Sequence, residues 1–447
     1  MFVSALLVLV AVTLTVISLA TLWWQMHAWW LPQHNDGTRY PERRRQANQP
    51  GYPPRSLDEP RHSFSLIMPC REEEEVVMEA TLRALLGQSH PQVEVIISVG
   101  HDDEKTVETA NRLAARYESV VVSVNHDPVG TKNKPKQMND ALLMCTNEVV
   151  GVFDAESIAA PELLMNVDRV FTARDADVVQ GAVHLMNYRD SWFSLRNCME
   201  YRIWFRSRLH GHALSGFIPL GGNTVFVKRE LLLQVGGWDG SCLAEDCELG
   251  VRLSVLGKKI AVAYDPALVT REETPERIPQ LIKQRTRWAL GFMQVLSKGE
   301  WKKLPTRGQR LHAWWTLVQQ HAVAFSGVAL PIAILSAFLA DVPPAVVLIT
   351  LLPLVPTLAM LAFEILILHE WDQEMDLDVR ARDYARLVVS MPVYQFLLAV
   401  AVLRALVKYV TGDFAWEKTA HVGSHIQPRA DEPGADTTPA VREEVAA

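Results

Sequence analysis

Cysteine is scarce. Five occur in 447 residues (Cys70, Cys145, Cys198, Cys242 and Cys247), all between the first long apolar run and the later ones. Cys242 and Cys247 form the one close pair, and no second pair at zinc-finger spacing accompanies them, so a zinc module is excluded and free thiols are expected in a reducing compartment. Positive charge is not in excess either. The formal net charge is -7, which argues against a dedicated nucleic-acid binder. No internal repeat and no cyclic-nucleotide-type regulatory module is visible. Residues 3–24, "VSALLVLVAVTLTVISLATLWW", carry no charge at all. No basic stretch precedes this run and no small-residue cleavage site follows it, which favours a membrane span over a signal peptide.

The apolar content is 49%, and it is unevenly spread. Besides residues 3–24, three further candidate spans lie at 313–340, 342–363 and 387–403. "RYPERRR" follows the first run, so the positive-inside bias places the N-terminus outside and the next domain in the cytoplasm of a multi-pass plasma-membrane protein. Three later spans would then put the tail outside, yet Arg404, Lys408 and Lys418 favour the inside. Pro353 and Pro356 are positioned to break one segment into a re-entrant piece. The expected organisation is a membrane helix (1–30), a linker (31–62), a soluble domain (63–300), interfacial and membrane helices (301–412) and a mostly disordered tail (413–447).

Within 63–300, strand and helix signals alternate. "SFSLIMP", "VEVIISVG", "SVVVSV" and "EVVGVFD" read as strands. "EEEVVMEATLRALLGQ", "TVETANRLAARY" and "PKQMNDALLMC" read as helices, the first with apolar positions at Val76, Val77, Ala80, Leu82 and Leu85. This βαβαβαβ order predicts an α/β domain with a mainly parallel sheet covered on both faces. Ligands then bind at the carboxyl ends of the strands. Two acidic groups fall there: His101-Asp102-Asp103-Glu104 and Asp154-Ala155-Glu156. Two acids beside an apolar layer repel each other and resist desolvation. A hard cation such as Mg²⁺ or Mn²⁺, bridging them to a diphosphate, relieves that cost. On its own the tripeptide fits a turn with solvated acids equally well. Glu245-Asp246 opens an amphipathic helix, where the helix dipole favours acids. An Asp there is also a candidate general base. "IKQRTRWALGFMQV" offers Arg287 for phosphate and the Trp288 face for a sugar, or else interfacial anchors. His210-Gly211-His212 lacks an acid partner for a metal, and "SWFSLRNCMEYRIWFRSRL" reads as an amphipathic helix with solvated or headgroup-facing arginines.

Taken in order, these pieces resemble the membrane-integrated family 2 glycosyltransferases, the group containing cellulose, chitin and hyaluronan synthases. "MPCREEEEVV", "NKPKQMNDAL", "PLGGNTVFVKRE", "VGGWDGSCLAEDCELGVRL" and "QRTRW" carry the resemblance over about residues 63–300. It implies a GT-A fold. It implies a nucleotide-sugar donor, read as a UDP-sugar, held by Glu72, Asp102 or Asp103, Lys134 and Asp154. Asp154 and Glu156 would hold Mg²⁺ or Mn²⁺. Asp246 would be the catalytic base, and Glu245, Gln284, Arg287 and Trp288 would line the acceptor and diphosphate end. Direct displacement would invert the anomeric centre. Three departures stand out. Ala244 replaces the family's usual Thr, Glu156 replaces an Asp, and "GHDDEKT" leaves Asp102 and Asp103 as alternatives. "FAWEKTAH" resembles a Trp-x-Lys-Thr segment expected near the cytoplasmic mouth of the acceptor site.

Three functions compete. The strict Q-x-x-R-W and the several C-terminal spans tilt the reading towards a synthase that extends a β-linked polysaccharide and passes it through its own helices. A non-processive glycolipid synthase, similar to ceramide glucosyltransferases, shares the motif series, and the scarcity of aromatics in the spans favours it. A non-catalytic membrane partner is the third. Membrane lipids and a growing glycan or lipid acceptor are the expected partners, with no nucleic acid.

Overall fold

The computed structural model describes residues 1–30, 59–127 and 133–417. Most of the expected linker and the tail from Lys418 onward lie outside the described residues, including Lys418 and Thr419 of the Trp-x-Lys-Thr segment.

α1 (Phe2–Trp30) covers the first apolar run and continues past it. The catalytic-type domain then alternates β1 (Phe64–Cys70), α2 (Glu75–Leu86), β2 (Val93–Gly100), α3 (Glu104–Ala114), β3 (Val120–Asn125), α4 (Lys134–Met144) and β4 (Val149–Val152), as the pattern predicts. These four strands are parallel, in the order β3-β2-β1-β4. β2 is buried from Val95 to Gly100 with no polar alternation, which marks a strand covered on both faces. The α2 face that packs inward is Val77, Met78, Thr81, Leu82 and Leu85; Val76 points to solvent.

The second half is mixed. α5 (Leu163–Arg174) leads to β5 (Val178–Gly181) and β6 (Val183–Leu185). A long helical segment follows: α6 (Ser194–Ile203), a π turn (Trp204–Arg208) and α7 (Leu209–Ser215). β7 (Val225–Lys228), α8 (Arg229–Gln234), α9 (Glu245–Val255), β8 (Ile260–Ala263) and β9 (Thr270–Glu272) complete the domain. β7 runs antiparallel between β4 and β5, and β8 pairs parallel with β5, giving seven strands in the order β3-β2-β1-β4-β7-β5-β8. β6 and β9 form a separate parallel pair. One apolar core, with Phe64, Phe153, Phe171 and Phe226, fills one face of the sheet, and a second, with Ile67, Leu209, Leu249 and Leu253, fills the other.

The C-terminal third is helical: α10 (Ile278–Lys298), α11 (Arg307–Leu339), α12 (Pro344–Leu351), α13 (Leu354–Met375) and α14 (Ala381–Thr411). Among the described residues, four stretches are long and apolar enough to cross a membrane: Phe2–Trp30, Arg307–Leu339, Pro344–Met375 and Ala381–Thr411. The helix breaks between α12 and α13 at Leu352-Pro353, where proline cannot donate to the ladder. Pro356 stays inside α13, in its first turn. α14 packs along the catalytic domain rather than standing away from it. Near its start Arg386 donates to the Tyr188 carbonyl (2.6 Å), midway Thr286 Oγ1 donates to the Ala401 carbonyl (3.3 Å), and near its end the Tyr409 and Ser297 hydroxyls meet at 2.5 Å.

The arginines of "SWFSLRNCMEYRIWFRSRL" are not solvated, contrary to expectation. Arg196 pairs with Glu364 midway along α13, and Arg202 and Arg206 pair with Glu374 and Glu370 on its last turns. These acids on an apolar helix offer the arginines nearer partners than water or lipid headgroups. His212 stacks on His312 (4.6 Å) beside Trp24, so this histidine packs the domain against α1 and α11.

Candidate active site

Asp154 lies two residues past the end of β4, at the carboxyl edge of the sheet. Its carboxylate pairs with Lys134 Nζ, which also donates to the Gly222 carbonyl at 3.3 Å. Lys134 opens α4, whose N-cap Asn133 accepts from the Lys136 N–H at 3.0 Å. Burial works to lower the Lys134 ammonium, but Asp154, Glu245 and Asp246 raise it further than burial lowers it. It therefore stays charged, as the cation of an acidic centre.

Glu156 is buried two residues on. Glu272 was not singled out from the sequence. It ends β9, is buried, and accepts from Ser157 Oγ (2.8 Å) and from Asn223 Nδ2. Burial, then Asp154 and Glu156, push its carboxyl well above the usual range. The available signal was "TREETPE": two acids at a strand end shortly before "QRTRW". Among the described residues, no group of three or more His, Cys, Asp or Glu side chains is gathered to hold a metal ion.

Asp246 sits in the first turn of α9 and accepts from the Cys247 N–H at 2.7 Å. Burial and the adjacent Glu245 push it up to about 7, against the pull of Lys134 and of the backbone N–H. Burial likewise raises Glu245. Gly222 faces Asp246 so closely that a Cβ there would stand 3.0 Å from its Oδ2. Gln180 of β5 holds this loop, accepting from the Gly221 N–H (2.8 Å) and donating to the Asn223 carbonyl (2.9 Å).

α10 seats on the Asp246 turn. A Cβ on Gly291 would meet the Ala244 N and Cβ at 2.7 and 2.6 Å, so the approach uses two small residues, one of them the Ala that replaces the expected Thr. This docking brings Gln284, Arg287 and Trp288 to the same cavity as Lys134, Asp154, Glu156, Glu245, Asp246 and Glu272. Gln284 Oε1 is buried without a hydrogen-bond partner. Arg287 lies over the Trp416 ring at 5.7 Å, which brings that tryptophan to the cavity as the Trp-x-Lys-Thr likeness implies. Arg285, not singled out from the sequence, lies over Trp288 at 4.6 Å and pairs with Glu200, fixing the indole.

Glu72, Asp102 and Asp103 lie apart from this cluster, beside the ends of β1 and β2. Glu72 adopts a left-handed backbone (φ 51°) and its side chain is 62% exposed, while its neighbours Arg71 and Glu73 line the cavity. Arg71 grips Asp102 through two bonds of 3.0 and 2.9 Å. Asp103 caps α3 through the Thr106 N–H (3.3 Å) and also accepts from the Glu72 N–H. Asp103 thus organises the turn, and Asp102 has the more exposed carboxylate.

The cavity measures about 1080 Å³ and runs from these acids to the apolar faces of α1, α11 and α13, including Leu14, Ile334, Leu335 and Leu361.

Comparison with known proteins agrees with this geometry. The mannosyltransferase PcManGT of Pyrobaculum calidifontis, solved with GDP-Man and Mn²⁺, superposes with a TM-score of 0.58 at 18% identity, covering 91% of this chain and 99% of that one. The fold is therefore a GT-A-like α/β domain joined to membrane-type helices. The probable glycosyltransferase YdaM of Bacillus subtilis is 27% identical over 52% of this chain and 56% of its own length. The beta-monoglucosyldiacylglycerol synthase of Trichormus variabilis is 29% identical over 52% of this chain and 49% of its own. The poly-beta-1,6-N-acetyl-D-glucosamine synthase of Staphylococcus epidermidis is 24% identical over 56% and 59%. The chain spans little more than half the length of these relatives. The profile of glycosyltransferase-like family 2 matches residues 60–291, more than half the chain and the whole of the cavity's acidic edge, and the chain belongs to that family.

Proposed function

We propose that the protein is a membrane-embedded inverting glycosyltransferase that takes a sugar from a nucleotide-sugar donor. The observation that carries this reading is the convergence of Asp154, Lys134, Asp246 and the QRTRW helix on one cavity. Asp246, raised to about 7, is matched to removing a proton from an acceptor hydroxyl near neutral pH. Attack from that side, opposite the diphosphate, inverts the anomeric carbon in one displacement. Lys134 stands where negative charge collects on the leaving diphosphate, and Arg287 is in reach of the same cavity. Trp288, held by Arg285, offers a flat apolar face to a sugar ring.

The cavity's carboxylates have the chemistry a divalent cation takes, though among the described residues they are not drawn together into a ligand cluster. Asp154, Glu156 and Glu272 line one cavity with Lys134, which pairs with Asp154, and burial, then the charges of Asp154 and Glu156, raises Glu272. Oxygen donors of this kind suit Mg²⁺ or Mn²⁺, which Asp154 and Glu156 would hold. Such an ion would supply electrostatic stabilisation of the departing diphosphate.

Two acceptor classes remain in play, and the cavity's lining favours a lipid. Where it meets the membrane helices its walls mix aliphatic side chains such as Leu14, Leu330, Ile334, Leu335 and Leu361 with polar ones such as Gln25, Gln319 and Gln320, and Phe338 is the one aromatic among the lining residues of α1, α11 and α13. A glycan conduit needs stacking faces. The polymer reading rests on the QRTRW motif and the number of apolar helices.

α14 supports a refined topology. It touches the catalytic domain near both ends, so it lies along the cytoplasmic face, and the chain crosses three times. The C-terminus is then on the same side as the catalytic domain, in keeping with Arg404 and Lys408.

The test is a radiolabelled donor screen with purified protein and Mg²⁺ or Mn²⁺, products being sized on a gel and extracted into solvent. A single-sugar product in the organic phase identifies a glycolipid synthase. A high-mass, glycosidase-sensitive product identifies a polymerase. No transfer from any nucleotide sugar overturns the proposal.

A further inference from the structure

Arg208 lines the cavity and has no part in the proposed mechanism. Along the continuous α6–π–α7 segment, Tyr201 lies at the catalytic end, where the charges of Glu272 and Asp154 act on its hydroxyl. Arg208 is seven residues further, about 10 Å along a helix axis. There the segment meets the inner end of α1: Arg206 lies over Trp29 at 3.9 Å, and Trp204 reaches Trp24 through His212.

Five charged side chains of this segment and of the helices that face it line the cavity: Arg196, Arg208, Arg285, Glu200 and Glu364. Arg196 pairs with Glu364 at 3.1 Å and Arg285 pairs with Glu200. Arg208 is left over. Among the described residues it makes no hydrogen bond or ion pair, and its Nε is buried without a partner. Burial lowers its guanidinium despite help from Glu200 and Glu364. Two more donors in the same lining are equally unmet, Gln25 Nε2 of α1 and Gln320 Nε2 of α11. Unmet buried donors at membrane depth are costly. A π turn, often found at functional sites, presents Arg208.

We propose that Arg208 is the counter-ion for the anionic head group of the lipid acceptor. Its tails lie against the aliphatic faces of α1, α11 and α13, its phosphate-type group is held at Arg208, and its hydroxyl reaches towards Asp246. This deepens the lipid reading above and rests on it. It differs from acceptance of a neutral diglyceride, which offers nothing to a guanidinium.

The experiment uses the full-length protein, radiolabelled donor and two vesicle types: phosphatidylcholine containing phosphatidylglycerol, and phosphatidylcholine containing diacylglycerol. The expected result is a labelled lipid from the phosphatidylglycerol vesicles that is retained on anion-exchange resin. Arg208→Gln should raise its KM about tenfold or more, as loss of a charge-assisted hydrogen bond would. Arg208→Lys should restore most of it. Donor affinity, read by tryptophan fluorescence, should be unchanged in both variants, which also reports correct folding. A neutral labelled lipid made equally well by wild type and Arg208→Gln overturns the assignment. So does donor binding without lipid labelling from either vesicle. Loss of donor binding in the wild type itself would instead overturn the transferase reading.

Discussion

Asp246 is the proposed base, and its environment sets the pH at which it is available for that role. Buried beside Glu245, it is raised to about 7 from an ordinary 3.8. As a base it must be ionised, so kcat/KM should fall as pH drops below about 7, read from a pH profile at saturating Mn²⁺. Folding responds with the opposite sign. An acid whose folded pKa is raised costs nothing while it is neutral in both states, and destabilises as pH climbs from the unfolded value through the folded one. Asp246→Asn should therefore raise the melting temperature by a few degrees at pH 8 and leave it unchanged below pH 4. Asp154→Asn addresses a different step. It removes a proposed ligand of the cation and leaves Lys134 buried with one acid fewer, so donor affinity should drop about 10-fold or more in titrations with Mn²⁺. At this scale the sequence was informative about position where a motif singled out the residue. Asp154, Lys134, Asp246, Gln284, Arg287 and Trp288 meet in one cavity. Glu272 escaped notice because its position depends on the pairing of β6 with β9, a long-range contact of which "TREETPE" gives only a weak local sign.

At the level of elements, the docking of α10 onto the α9 turn unites the two halves of the site. The fit depends on Gly291, where a Cβ would collide with the Ala244 backbone at 2.7 Å. Gly291→Ala should displace α10 and cut kcat by about 10-fold or more with little change in donor affinity, since a misplacement of about 1 Å suffices. Comparison of steady-state kinetics with equilibrium donor titration checks this. The first four strands and their helices were legible because strand and helix periods alternate cleanly up to Val152. The antiparallel β7 and the short β5, β6 and β8 were not, since strands of three or four buried residues carry no period. Charge pattern misled once. Arg196, Arg202 and Arg206 look like a solvated face until Glu364, Glu370 and Glu374 are brought against them from a helix more than 150 residues away.

For the whole molecule, the question is how membrane and catalytic parts share one cavity. Long apolar runs located the helices, but hydropathy cannot distinguish a helix that crosses from one that lies on a protein surface. Residues 381–411 pass as a span by composition, yet both ends bind the catalytic domain. A reporter fused after the C-terminus should read cytoplasmic; a periplasmic or external reading would mean four crossings and contradict the proposed placement of α14.

The central claim is that this cavity performs one inverting displacement with Asp246 as base. The most direct measurement is NMR of the glycosidic bond formed by the purified full-length protein from an α-linked nucleotide sugar, with Asp246→Asn run alongside. The account predicts a β-linked product and a variant that still binds donor but transfers about 10²–10⁴-fold more slowly. An α-linked product, or a variant as fast as the wild type, would contradict it.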